Sequence, residues 1–326
     1  MRAVVITKHG DPSVLIVVDL EKPTPKDDEI LVKVRATSLN RADLMQRMGF
    51  YPDPFPGAHE IPGLEFAGTV ESCGDSVNSW RVGDPVMGIV SGGAYAEYLV
   101  VPGMQAMAVP KNIGLANAAA IPEVFITAWD ALVCQANLVA GQWALVHAGG
   151  SGVGTAAIQI CKAVGAYVVV TCSAEKRDAC LALGADLAID YKSQDFVEVA
   201  MQATHGKGVN AILDVVGGEY LNRNVAALAI KGTIVQVGLM GGGSTEFNIG
   251  ALMPKRGRLI GTVLRPRPVD EKIATTQRFV NEMLPLFLVG KMRPVIDRRY
   301  GLDQIAEAHR FMESNANTGK IVIDVC

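Results

Sequence analysis

Residues Trp143 to Ile158, WALVHAGGSGVGTAAI, run from a short apolar strand through a glycine turn into a small-residue helix. Such a turn presents bare backbone N–H groups at a helix N-terminus, where the helix dipole favours negative charge, so it suits a phosphate. Taken alone, the pattern also fits a helix packed closely on a sheet. Further along, VVVTCSAEKR (168–177) puts Ser173 where a dinucleotide site usually has an Asp or Glu for the ribose 2′-hydroxyl, about 20 residues past the glycines. The small side chain leaves room for a 2′-phosphate, and Lys176 offers a point charge to neutralise it. Ser173 and Lys176 therefore predict NADPH as the dinucleotide. In the competing reading Glu175 binds a ribose diol and Lys176 and Arg177 are a solvated helix start, but Glu175 lies past the usual position of the acid.

Other reactive side chains carry weaker signals. His147 directly precedes the turn, and a histidine at a strand end is more often satisfied by neighbouring backbone than catalytic. His59 and Glu60 resemble a ligand pair but lie in a Pro/Gly-rich loop and read as solvated. The six cysteines, Cys73, Cys134, Cys161, Cys172, Cys180 and Cys326, form no C-x-x-C pair and read as reduced core thiols of a cytoplasmic protein. Cys172, beside Ser173, is the one with a position relevant to oxidation, although a core thiol is the simpler assignment.

Two rhythms of secondary structure must position these residues. Up to about Pro122, short β-branched runs separated by Gly and Pro (3–7, 29–37, 68–73, 85–90 and 94–101) predict a rolled antiparallel sheet, interrupted by a helix over 41–48 that follows Asn40 in a capping position. From Glu123 the pattern alternates. Strands at 143–148, 166–172, 187–190, 210–216, 232–238 and 258–264, with helices at 153–164, 174–183, 195–204 and 219–229, predict a six-stranded doubly wound parallel sheet. Helices near 270–289 and 303–314 follow, and a last strand over 320–325 is expected to return to the first domain. The predicted organisation is thus an α/β Rossmann domain over 123–264, with a mostly β domain made from 1–122 and 265–326.

Composition narrows the function. A chain of 326 residues with 49% hydrophobic and 19% charged residues is globular and long enough for two cores. Its formal net charge of -3 offers no basic stripe for a nucleic-acid backbone. The apolar run from Val139 to Ile158 is broken by Gly141, Gln142, His147 and the glycine cluster, so it predicts no membrane span.

The motifs SLNRADLMQR (38–47), GLEFAGTV (63–70), WRVGDPV (80–86), AAAIPEVFITAWDAL (118–132), HAGGSGVGTAAIQ (147–159), LDVVGGEYL (213–221) and VGLMGGG (237–243) occur in one order and spacing. In that order the chain resembles, from end to end, the zinc-independent quinone oxidoreductases of the medium-chain dehydrogenase/reductase superfamily. Within them it looks most like the tumour-suppressor-inducible, NADPH-dependent branch, and more distantly like zeta-crystallin. The resemblance implies that the mostly β domain is GroES-like and carries catalysis. Where zinc alcohol dehydrogenases have G-x-G-G-x-G, this chain has Gly149, Gly150, Ser151, Gly152, Val153 and Gly154, and the Ser151 hydroxyl can donate to a pyrophosphate oxygen. Zinc enzymes of the superfamily place cysteine, histidine and cysteine where Asn40, Leu64 and about Glu123 stand here, a set that cannot form a tetrahedral zinc site. The four-cysteine structural lobe is also missing.

The same resemblance implies Asn40 and Tyr51 as groups near a quinone acceptor at a cleft between the domains, where reduction needs positioning and hydrogen bonds to a developing oxyanion. Asn40 has the alternative role of helix cap, Tyr51 that of packing, and Asp43 reads as a local hydrogen-bonding residue. Thr127 is implied near the nicotinamide carboxamide, or else is a helical threonine bonded to its own backbone. Gly152, Val153, Tyr191, Gly238 and Leu239 complete the implied cofactor contacts, with Gly241 to Gly243 a flap or a simple turn. An enone or enoyl reductase fits the same residues, and a non-enzymatic, crystallin-like nucleotide-binding protein is a third reading. The edge strand RLIGTVL (258–264) predicts a homodimer.

Overall fold

The computed structural model describes residues Met1–Cys326, which divide into two units: Met1–Ile126 with Leu264–Cys326, and Thr127–Val263. In the first unit, β1 (Arg2–Ile6) and β2 (Leu15–Asp19) form an antiparallel ribbon. The ten-residue β3 (Glu29–Ser38) is central and pairs antiparallel with β4 (Glu65–Cys73) and β6 (Tyr98–Pro102). Register shifts between Leu31 and Val32 and between Val34 and Ala36 let this long strand coil. Beyond β4 lie β5 (Pro85–Ile89) and the two-residue β7 (Met107–Ala108). The helix α1 (Arg41–Arg47) follows β3, and α2 (Leu115–Ala118) and α3 (Pro122–Trp129) close the segment.

The second unit is a parallel sheet. Its strands are β8 (Trp143–Val146), β9 (Tyr167–Cys172), β10 (Leu187–Asp190), β11 (Val209–Asp214), β12 (Leu228–Gln236) and β13 (Arg258–Gly261), in the spatial order β10-β9-β8-β11-β12-β13. The connecting helices are α4 (Gly152–Ala163), α5 (Arg177–Ala182), α6 (Phe196–Ala203), α7 (Tyr220–Ala227) and α8 (Ile249–Leu252). This is the doubly wound dinucleotide-binding order, and strand order reverses between β8 and β11, where ligands of such sheets bind. Leu145, Val169, Ile189, Ile212 and Ile234 are buried from successive strands, with Phe196 and Val225 covering them.

The chain then returns to the first unit through α9 (Val269–Glu282), α10 (Leu284–Leu288), β14 (Ile296–Gly301), α11 (Ile305–Glu313) and β15 (Lys320–Asp324). Strand β15 lies between β14 and β3, so the last residues complete the sheet that the first ones began. The fold is the expected one, a six-stranded Rossmann sheet plus a GroES-like domain built from both chain ends.

Several elements differ from expectation. One helix over 270–289 is in fact two, because Pro285 has no N–H to continue the ladder and the chain bends at Met283. Strands β2, β7 and β14 lie outside the expected set. The middle of β14, Asp297, Arg298 and Arg299, is charged and exposed as befits an edge strand, and so the strand lacks the apolar alternation that marks one in sequence. The stretch Leu115–Gln135 is long and apolar enough to cross a membrane, but 72% of its most apolar window is buried inside the protein, as in a core helix.

Candidate functional site

One candidate site is the carboxyl edge of the parallel sheet in the second unit. Gly149 and Gly154 are required by close approach: a Cβ on Gly149 would lie 2.6 Å from Val170, and one on Gly154 would lie 2.3 Å from the Ala148 carbonyl oxygen. Ser151 caps α4, its Oγ accepting the Gly154 N–H at 3.0 Å. The cap uses an oxygen lone pair and leaves the hydroxyl proton available as a donor beside the N–H groups of Gly152 and Val153. The stem of Lys176 lies along the turn, within 2.7 Å of where a Gly150 Cβ would be. Lys176 is therefore at the glycine turn, while Ser173 directly follows the end of β9, where no acid stands. Glu175 is exposed, its carboxyl held below the usual range by hydrogen bonds with its own backbone and with Ser173.

Beneath the turn runs a network that sequence reasoning missed. His147 is fully buried; its Nε2 lies 2.7 Å from Asn224 Oδ1 and its Nδ1 3.0 Å from Thr171 Oγ1. Asn224 donates to Asp214 Oδ2 at 2.8 Å, while Asp214 Oδ1 accepts the N–H groups of Val216 and Gly217. Burial disfavours the charged imidazole and lowers its pKa. Neutral His147 then donates through Nε2 and accepts from Thr171 through Nδ1. It ties the ends of β8, β9 and β11 to α7. The signal in the sequence is a set of polar residues, His147, Asp214 and Asn224, set among apolar runs.

The segment after β12 is also held. The N–H groups of Met240 and Gly241 donate to Val215 and Val216, and Gln236 Nε2 donates to the carbonyls of Asp214 and Gly238. The flap imagined for Gly241 to Gly243 is thus anchored at its start, while Leu239 remains exposed. Tyr191 is 47% exposed directly after β10, its N–H donating to the Cys172 carbonyl at 3.2 Å, and Thr127 is partly buried in α3.

A second candidate site lies in the first unit and centres on Glu65, which is fully buried. Its Oε1 accepts from Ser38 (2.6 Å), Asn40 Nδ2 (2.9 Å) and Lys320 Nζ (2.8 Å), and its Oε2 accepts the Glu123 N–H at 2.8 Å. Lys320 also donates to Asn40 Oδ1 (2.7 Å) and the Leu39 carbonyl (2.6 Å). This corrects the expected role of Asn40. Its oxygen and amide are both committed to buried partners, so it sets the positions of Glu65 and Lys320 and does not present a free donor. It occupies the N-cap position of α1, but its side chain makes no cap bond. Instead, Asp43 accepts the Asn40 N–H at 2.7 Å and the Tyr95 hydroxyl at 2.9 Å.

Tyr51 is partly buried in the loop after α1 and is fixed by Arg265, another residue missed in sequence. The buried guanidinium donates to the carbonyl of Tyr51 (3.0 Å), to that of Ser91 (2.6 Å) and to Gln46 Oε1 (2.9 Å), and it lies 5.0 Å from the Tyr51 ring. Burial raises the phenol pKa, with a nearby Glu123 adding to it. Phe50 and Phe55 are exposed in the same loop, with the Lys272 ammonium 5.2 Å from the Phe55 ring. Glu60 is not simply solvated: Gln46 donates to it at 3.1 Å, and His9 lies 3.5 Å away.

At two of the positions compared with zinc ligands, Leu64 is a buried hydrocarbon and the Asn40 oxygen already faces the Lys320 ammonium, neither of which suits a zinc ligand. A nicotinamide dinucleotide does fit the glycine turn, where two glycines leave no space for a Cβ and a capping serine keeps a donor free.

A doubly wound nucleotide sheet joined to a GroES-like unit defines an oxidoreductase of the medium-chain dehydrogenase/reductase superfamily. Two family models match: alcohol dehydrogenase GroES-like domain over residues 26–111, and zinc-binding dehydrogenase over 152–281. The chain is 30% identical to the quinone oxidoreductase of Homo sapiens over 99% of its own length and 97% of the relative's. Among solved structures it resembles Escherichia coli quinone oxidoreductase complexed with NADPH, at 29% identity and a TM-score of 0.89 with both chains fully covered. It also resembles CurK enoyl reductase, at 26% identity and a TM-score of 0.87, covering 99% of this chain and 98% of that one. The chain belongs to the quinone oxidoreductase family of that superfamily.

Proposed function

We propose that this oxidoreductase uses NADPH to reduce quinones and does so without zinc. The observation that carries the reading is the end of β9, where small Ser173 stands in place of a ribose-binding acid and the stem of Lys176 crosses Gly150. When bound, NADPH supplies the hydride. Ser151, Gly152 and Val153 serve its pyrophosphate, Ser173, Lys176 and Tyr191 its 2′-phosphate end, and Thr127, Gly238 and Leu239 its nicotinamide end. Asn40 positions Glu65 and Lys320, and Tyr51 offers the acceptor a phenol donor and an aromatic edge. The exposed rings of Phe50 and Phe55 suit a flat, apolar acceptor. The donor set at Asn40, Leu64 and Glu123 supports the zinc-free part of the reading.

Reduction of enones is the second reading. It is favoured by the likeness to CurK enoyl reductase, and the same donors would serve an enolate. Oxidation of NADPH is to be followed with ortho-quinones and with α,β-unsaturated ketones, and repeated with NADH. Quinone turnover with NADPH preferred supports the proposal; turnover of enones but of no quinone overturns it. Nucleotide binding without turnover of either class would leave the crystallin-like reading. We further propose a homodimer formed through the edge strand β13, where Leu259 is 42% exposed; light scattering showing a monomer at micromolar concentration overturns that.

A further inference from the structure

One carboxyl beside Glu65 has no structural employment. Glu123 is in the first turn of α3, and its backbone N–H is bound by Glu65, but its side chain makes no hydrogen bond to the protein and is partly open to solvent. The groups facing it come from every surrounding element: Glu65 on β4, Asp43 on α1, Tyr51 on the following loop, Arg265 before α9, Lys272 on α9 and Lys320 on β15. Of these, Lys320 is spent on Glu65, Asn40 and Leu39, and Arg265 on backbone carbonyls and Gln46. The nearest anion, Glu65, is locked by four hydrogen bonds and cannot turn away. Burial disfavours the charged form of Glu123 first of all, and a second negative charge beside Glu65 adds to that. Together they push the Glu123 carboxyl up to about 8, so it holds its proton at neutral pH.

We propose that Glu123 is a catalytic proton donor to the acceptor, acting beside the Tyr51 phenol. The inference rests on the quinone reading given above. Two-electron reduction of a quinone to a hydroquinone consumes one hydride and one proton. The hydride brings an electron pair and one hydrogen, which leaves the other oxygen as an oxyanion. The Glu123 O–H bond breaks, a phenolic O–H bond forms at that oxygen, and the carboxylate regains a proton from water after the product leaves. Tyr51 donates a hydrogen bond to the same developing charge without losing its proton, because its pKa is raised. The acid is thus poised near working pH, where general-acid catalysis is most effective.

Two measurements test this on the full chain. The first is the single-turnover rate of quinone reduction between pH 6 and pH 9.5, about 2 units below and about 1.5 units above the expected inflection near 8. The wild-type rate should fall above that inflection. Glu123→Gln should lower the neutral-pH rate by about 100-fold, the low end for loss of a general acid, and flatten the profile. Glu123→Asp should recover part of the rate and keep an alkaline limb. The second is infrared difference spectroscopy of the protein without nucleotide. A protonated carboxyl band at pH 7 should disappear on raising the pH and be missing in Glu123→Gln. A quinone-active wild type matched by Glu123→Gln in rate and pH profile overturns the inference, as does the absence of that band. A wild type that reduces no quinone overturns the quinone reading instead, a separate and recognisable failure. A melting temperature no lower than that of the wild type and an unchanged NADPH affinity in Glu123→Gln show that loss of rate is not loss of fold.

Discussion

His147 Nε2 and Asn224 Oδ1 are 2.7 Å apart, which joins the residue before the phosphate turn to the first helix past the point where strand order reverses. Through Asn224 the link continues to Asp214, whose other oxygen orients the Val216 and Gly217 N–H groups. Asn224→Leu would leave His147 without its acceptor and one Asp214 oxygen unpaired, both fully buried. It is expected to destabilise the protein by about 1–3 kcal/mol per orphaned group and to weaken NADPH binding. Urea unfolding and nucleotide titration check this. Unchanged stability would mean that water replaces the link.

The buried pair of Lys320 and Glu65 makes a different claim. The two side chains are 3% and 0% exposed. Removing one partner leaves an uncompensated charge in the interior, so Lys320→Met should cost about 3–5 kcal/mol. The double variant Lys320→Met/Glu65→Leu removes both charges, so its loss should be smaller than the two single losses combined. A double-mutant cycle by chemical denaturation measures that coupling, and additive losses would contradict the geometry.

Neighbouring glycines should behave unequally. A Cβ at Gly154 meets backbone, the Ala148 carbonyl at 2.3 Å, whereas one at Gly150 meets only the movable stem of Lys176. Gly154→Ala is expected to abolish nucleotide binding. Gly150→Ala should leave NADH affinity nearly unchanged and lower NADPH affinity, because it displaces Lys176. Lys176→Ala, which removes the charged contact outright, should weaken NADPH binding by about 1.5–3 kcal/mol, roughly ten- to a hundredfold, with little effect on NADH. Equal losses for the two cofactors would deny Lys176 its role as phosphate reader.

How much of this was legible in the sequence depends on the range of the interaction. The strand order and the glycine turn follow from local patterns: apolar runs of strand length, helices at regular intervals and a turn that admits no side chain. Ser173 and Lys176 were placed by counting from that turn. The partners of Asn40 were not legible, because Lys320 is 280 residues away and enters as the first residue of a strand that reads simply as KIVID. Arg265 was hidden for the same reason, since its partners Tyr51, Ser91 and Gln46 belong to other stretches of the chain. Glu123 was seen only as the place of an absent cysteine. Its protonation depends on Glu65 being locked beside it, which only the folded arrangement reveals.

Stability should depend on pH from both sides, and the signs follow from where each group titrates. The Glu123 carboxyl rises from the usual 4.5 to about 8 and Asp43 from 3.8 to about 6, both chiefly through burial. For a raised carboxyl the folded state binds more protons than the unfolded one between the two values, so its contribution is full below the ordinary pKa and is lost as pH rises through the shifted one. Glu123 therefore drains stability up to about pH 8, and Asp43 up to about pH 6. His309 is the opposite case: burial, with help from Arg47, lowers it from 6.5 to about 3. Its neutral form is needed in the fold, so its contribution is full above pH 6.5 and is lost as pH falls through about 3. Glu123→Gln should accordingly flatten the decline between pH 6 and 8 in a series of thermal melts, leaving the acid limb as in the wild type. His309→Gln should flatten the acid limb and leave the alkaline one. If Glu123→Gln and the wild type lose stability in parallel up to pH 9, about one unit past that shifted value, the carboxyl at 123 is ionised in the folded protein and cannot serve as its proton donor.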